Sequence, residues 1–203
     1  MKIQIVASLG VVSLLGACGG SGGGGNGIPS FDTAAEASAE AAAALTRVEA
    51  LEFTAPEDFQ QTGSATFDGV IAISDESGSA VADATVIGGI TVTLDFEDES
   101  ASTGTAGNFI DLADTPVGGT LALSDVEFTE GSDGGGFSAN LDGSLTDVGR
   151  AGTDADYDYD LVVGGLYLGE GIQAVQALMG GTVSETGSAV TRSATGAASL
   201  ERQ

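Results

Sequence analysis

Residues 154–168 read DADYDYDLVVGGLYL, and this stretch decides the fold. Tyr157, Tyr159, Leu161, Val163 and Tyr167 alternate with Asp156, Asp158, Asp160 and then Val162. A period of two sends successive side chains to opposite faces, the mark of a half-buried strand. The same period recurs on either side. Ala65, Phe67, Ile71 and Ile73 oppose Thr66, Asp68 and Ser74. Ile90, Val92, Leu94 and Phe96 oppose Thr91, Thr93 and Asp95, and Phe137, Ala139, Leu141 and Leu145 oppose Ser138, Asn140, Asp142 and Ser144. Weaker strands are expected over Ser102 to Leu112, Gly118 to Phe128, Ala174 to Val183 and Val190 to Leu200. In the second of these the apolar phase jumps from Leu121 and Leu123 to Val126 and Phe128, which predicts a bulge near Ser124 or Asp125.

These make eight strands, joined by turn segments such as SDESGSAVAD, TEGSDGGG and SETGSA. With no helix between them, successive strands should be antiparallel neighbours, and eight with one buried face can close and so remove both edges. The predicted fold is mainly β: an eight-stranded antiparallel up-and-down β-barrel preceded by one N-terminal α-helix. A β-sandwich is the alternative.

Upstream, Thr33 stands three residues before Glu36, a capping-box spacing, and Asp32 favours a helix start. From Ala34 to about Phe53 the chain is rich in Ala, Glu and Leu without Gly or Pro. A helix is predicted there, with Ala41, Leu45, Val48 and Leu51 as the stripe that packs on the domain or across its open end. Further upstream, Met1-Lys2 is a minimal positive start and Ile3 to Leu15 is largely apolar, too short for a comfortable membrane span. It ends in Leu15-Gly16-Ala17-Cys18, which resembles the lipobox of bacterial lipoproteins. That resemblance implies cleavage after Ala17 and lipidation of Cys18, with several acyl chains giving a stable anchor where one is marginal. The expected organisation is a signal peptide at 1–17, the lipidated cysteine and a Gly-rich tether (GGSGGGGNG at its centre) at 18–30, the helix segment at 31–55 and the barrel domain at 56–203.

Composition narrows the function. Five Lys and Arg against 30 Asp and Glu give a formal charge of −25. That bias argues against nucleic acid and against peripheral docking on anionic lipid, and it favours solubility, basic partners or cations. A hydrophobic fraction of 42% in alternating order argues for a packed core despite 33 Gly. One cysteine and no histidine exclude, within this chain, an internal disulfide, a Ser-His-Asp or Cys-His site, and a His-ligated zinc or haem.

Asp154, Asp156, Asp158 and Asp160 are the densest chemistry, a tentative ligand or cation site of oxygen donors suited to calcium. The run departs from an EF-hand loop, with Tyr159 at position 6 and Gly165 at position 12. On a strand these carboxylates sit about 6.6 Å apart on one solvated face, which favours a solubilising role. Glu97, Asp98 and Glu99 read as an acidic turn. Tyr157, Tyr159 and Tyr167 either line a pocket or, as preferred, fill the barrel interior opposite glycines. Met179, without a histidine, reads as core packing. No carboxylate pair is singled out for glycoside chemistry and no phosphate-binding loop is present, so no catalytic residue, no cofactor and no resident metal are expected, and enzyme activity is not.

Several segments together resemble the barrel domains of transferrin-binding-protein-B-like solute-binding lipoproteins of Gram-negative bacteria: TGSATFDGVIAIS (62–74), GGITVTLDFEDESASTGTAGNF (88–109), GGFSANLDGSL (135–145) and GGLYLGEGIQAVQALMGGTVS (164–184). Tyr167, Gly169, Ala174 to Ala177, Gly180 and Gly181 stand where that family places a glycine-aromatic-glycine turn and an Ala-Val-Gly-Gly strand. The family's closing aromatic-Gly-Ala ending is missing, Ala194-Thr195-Gly196-Ala197 being a loose counterpart. The resemblance implies an acidic barrel, lipid-anchored in the outer membrane at the cell surface or on the periplasmic face. Such a barrel captures a protein or small solute through its loops. It does not carry over transferrin binding, since the second lobe and handle domains of the large receptors are lacking. The alternative is a structural or interaction lipoprotein of the envelope without a small ligand. A third reading is an integral outer-membrane barrel, against which stand the lipobox, the lack of Trp and the sparse aromatics. The expected partners are the membrane through Cys18 and a protein or small solute, with no nucleic acid, and the chain is expected to be a monomer.

Overall fold

A computed structural model describes residues 27–59, 62–75, 86–129, 135–146, 156–187, 189 and 191–203. One helix, α1 (Ala34–Glu49), precedes eight strands: β1 (Ser64–Ser74), β2 (Val86–Asp95), β3 (Thr103–Asp111), β4 (Pro116–Thr129), β5 (Gly136–Thr146), β6 (Asp156–Leu168), β7 (Ala174–Glu185) and β8 (Thr191–Arg202). Each strand pairs antiparallel with the next, and β8 pairs back onto β1 through contacts such as Ile71 opposite Ala198. The sheet is therefore a closed up-and-down barrel and leaves no free edge. The sandwich alternative falls.

Period-two alternation orients every strand. Along β6 the odd-numbered residues from Tyr157 to Tyr167 are buried, while the even-numbered ones from Asp156 to Leu166 are exposed. The interior is one continuous apolar cluster that includes Phe67, Ile71, Leu94, Phe109, Leu121, Leu141, Leu161, Val183 and Leu200. Large side chains fit because small ones face them. Tyr159 lies opposite Gly143, and a Cβ on Gly165 would come within 2.4 Å of the Phe137 ring. This lining is the inverse of a membrane-spanning barrel, which turns its apolar side outward.

Two bulges reset the alternation. On β4 the register slips between Ser124 and Glu127, with Asp125 at φ 51°, so Leu123 and Val126 both face inward. This is the bulge anticipated near Ser124 or Asp125. A second, on β3 between Ala106 and Phe109, has Asn108 at φ 53°. Asn and Asp tolerate this left-handed region best among residues with a side chain.

Helix α1 starts as predicted, with the Thr33 hydroxyl accepting from the Glu36 N–H. It ends at Glu49 rather than near Phe53. The next residues pair instead with the end of β6: Thr54 N–H donates to the Tyr167 carbonyl, Gly169 N–H donates to the Glu52 carbonyl, and Phe53 bridges Leu168. Strand pairing there overrides helix propensity. The helix lies along the outside of the wall, not across an open end. Its buried stripe is Ala34, Ala37, Ala41, Ala44 and Val48, and Leu45, expected in it, is only half buried. Small alanines allow close approach to Val70, Ala72, Ile87 and Ile110 on the outer face of β1, β2 and β3, while Val48 packs on Leu168 and Ala174. Arg47 clasps the seam, donating through Nε and Nη2 to Glu201 at 2.9 and 2.7 Å and through Nη2 to Glu40 at 2.8 Å.

Candidate interaction surfaces

The barrel's interior holds what the sequence placed there. Tyr157, Tyr159, Tyr167 and Met179 are all buried members of the core. Tyr167 anchors an aromatic plug at the end bearing the β2–β3, β4–β5 and β6–β7 connections. Its ring lies 6.2 Å from Phe59, 6.3 Å from Phe96 and 6.2 Å from Phe137, and Phe96 stacks on Phe128 at 5.5 Å. Such tilted and edge-on contacts suit the ring quadrupole. Burial, with Glu99 nearby, pushes the Tyr167 hydroxyl above its ordinary titration range. Ile172 completes the plug, fully buried and held at φ 58°. A β-branched residue there is strained, and the turn Gly169-Glu170-Gly171 keeps it so its side chain can stopper the barrel.

The aspartates of the tentative cation site are spread along the outer face of β6. Asp154 lies outside the described residues, as does Cys18. Thr146 Oγ1 donates to Asp156 at 2.7 Å, and Ser144 Oγ and Thr186 Oγ1 both donate to Asp158. Asp160 has no such hydroxyl donor among the described residues; it stands directly opposite Asp142. Among the described residues, no three acidic groups converge in a way that could hold a metal ion. Cross-strand hydroxyls bond Asp156 and Asp158.

The acidic turn at 97–99 engages its Asp98 carboxylate within its own loop, as it does that of the preceding Asp95. Asp95 Oδ1 accepts from the N–H groups of Glu97 and Asp98, and Asp98 Oδ1 accepts from Ser100. With Asp125 and Glu127 it lines an open groove of about 650 Å³. A smaller groove of about 160 Å³ runs beneath α1 past Phe31, Asp68 and Val70.

Sequence reasoning missed two features of the outer wall. One is a concentration of like charge: burial and the neighbouring Asp160 and Asp125 hold the Asp142 carboxyl above the ordinary carboxylate range. The other is an apolar stripe. Leu178 is 64% exposed, Val162 58% and Leu166 46%, all on the outer faces of β6 and β7. The signal was present in the break at Val162, where the run of outward aspartates stops.

Ile28 and Pro29 lie against the opposite wall. Asn108 Nδ2 donates to the carbonyls of Ile28 and Pro29, and Pro29 sits so close over Gly89 that a Cβ there would meet its carbonyl oxygen. No known protein family matches this chain, and neither do any curated proteins or solved structures.

Proposed function

We propose that this chain is a lipid-anchored envelope binding protein, a small relative of the transferrin-binding-protein-B-like barrels, that engages a protein partner with the outside of its barrel and carries out no catalysis. Cys18, in its lipobox setting, supplies the anchor to the outer membrane, and the glycine-rich stretch after it supplies reach. One observation carries the choice of partner. The barrel is filled by its own side chains from Phe67 to Leu200 and stoppered by aromatic rings, whereas small-molecule sites are concave and mostly apolar. The 97–99 groove, the larger of the two described, is walled chiefly by carboxylates.

The same packed interior also suits the second reading, an envelope lipoprotein with a purely structural role. Intact-mass measurement under native conditions on protein purified from its own host separates the two. The expected result is an acylated Cys18 at the amino terminus and a co-purifying protein. Acylation with no protein partner favours the structural role. An unprocessed or unacylated terminus overturns the anchor, and a retained small molecule overturns the filled-barrel argument.

A further inference from the structure

We infer that the bare outer face of β6 and β7 is a docking surface for a basic protein segment with an apolar centre. This deepens the binding reading above and rests on it. The relief of that face is unusual for a solvated wall. Val162 lies opposite Gly180, and Gly164 lies opposite Leu178, so two aliphatic side chains stand diagonally across two glycines. A Cβ at either glycine would meet nothing within 4 Å, which leaves two open hollows between two exposed knobs. Leu166 continues the stripe along β6, and Phe53, 59% exposed beside Leu168, extends it toward the aromatic end. Exposed apolar side chains clustered in this way mark interaction sites more often than scattered ones do.

Charge complementarity selects the occupant. Next to the stripe the wall becomes acidic, with Asp160 opposite Asp142, and Asp125 accepting from Asn140 on the strand beside it. Like charges directly opposite one another destabilise a sheet. Among the described residues the positive side chains are Arg47, Arg192 and Arg202, on α1 and β8, and none lies on β4 to β7. A segment that sets apolar side chains over Gly164 and Gly180 and Lys or Arg beside Asp142 and Asp160 satisfies both halves of the surface. A second copy of this chain would bring carboxylates against carboxylates, and an anionic bilayer would do the same.

The test uses the full chain with Cys18→Ser and a fluorescent Leu/Lys peptide of about 18 residues, long enough to form an amphipathic helix. A scrambled peptide of equal charge and a Leu/Glu peptide serve as controls. The amphipathic Leu/Lys peptide should bind best. Leu178→Asp and Val162→Asp should each weaken it roughly tenfold, with unchanged melting curves to show that the barrel is intact. Asp142→Asn with Asp160→Asn should weaken it a few-fold and reduce its salt dependence, while Glu97→Gln with Glu99→Gln should not. Equal binding of the scrambled peptide, or an unchanged affinity in Leu178→Asp, overturns the proposal. So does a dimer that Leu178→Asp dissolves, which would assign the face to a second copy. Should the host partner bind wild type and Leu178→Asp alike, the surface is wrong and the binding function stands; should wild type capture no partner, the binding function itself fails.

Discussion

The two sides of the barrel wall are built from the same alternating strands, yet α1 covers one and reaches the other only at its end, on Leu168 and Ala174. On β1, β2 and β3 the outward residues Val70, Ala72, Ile87 and Ile110 are apolar and lie under α1. On β6 and β7 the outward residues Val162, Leu166 and Leu178 are just as apolar and have nothing over them among the described residues. Apolar outward positions that face water call for a cover. The helix supplies it on one side, and on the other the proposed partner would supply it. Charge follows the same division. Arg47 ties the covered side together through Glu40 and Glu201, whereas Asp142, Asp160 and Asp125 crowd the bare one.

The contrast can be broken at several points. The largest effect is expected from Ala37→Asp, which buries a charge in the seam between α1 and the wall. It should cost about 3 kcal/mol or more, measured by urea denaturation, because nothing apolar there can solvate a carboxylate. Val48→Ala should cost about 2 kcal/mol by the same measurement, from two lost methyl groups and the hole over Leu168 and Ala174. Removing the cap with Thr33→Ala should cost about 1 kcal/mol.

On the bare side the effects should be small or reversed. The Asp142 carboxyl titrates above its unfolded value, so its contribution to stability is fully present at low pH and is lost as pH rises through the carboxylate range. Asp142→Asn should therefore raise the melting temperature slightly at neutral pH and leave it unchanged well below that range. The smallest effect is expected from Leu178→Asp, within about 0.5 kcal/mol of wild type, since that side chain already faces water. A large loss there would mean that the face is already covered within the chain, and the comparison would collapse.

The architecture was legible because its signal is local. Alternation of the kind seen from Tyr157 to Val163 is written in consecutive residues, and each odd position there is buried as read. The β4 bulge was legible for the same reason: Leu123 and Val126 are three apart, which a regular strand does not allow on one face. The β3 bulge carries the same spacing in Ala106 and Phe109, but small residues around Asn108 dilute it. What stayed hidden depends on neighbours distant in sequence. The helix was expected to bury Leu45 and run to about Phe53. The wall it meets rewards alanines instead, and the end of β6 captures Glu52 and Thr54. The candidate surface needed register as well. Nothing in the order of residues says that Val162 faces Gly180, that Leu178 faces Gly164, or that Asp142 faces Asp160. Asp156, Asp158 and Asp160 face outward as read, and the hydroxyls of Thr146, Ser144 and Thr186 that meet the first two come from elsewhere in the chain.

A docking face on the outside follows from a wall that is closed and full. Amide hydrogen exchange on the Cys18→Ser chain tests this at the seam where β1 meets β8. If the barrel is closed, amides paired across Ile71 and Ala198 exchange as slowly as those paired across Leu141 and Leu161, through global unfolding alone. Fast exchange confined to β1 and β8, as in the edge strands of an open sheet, would contradict the account.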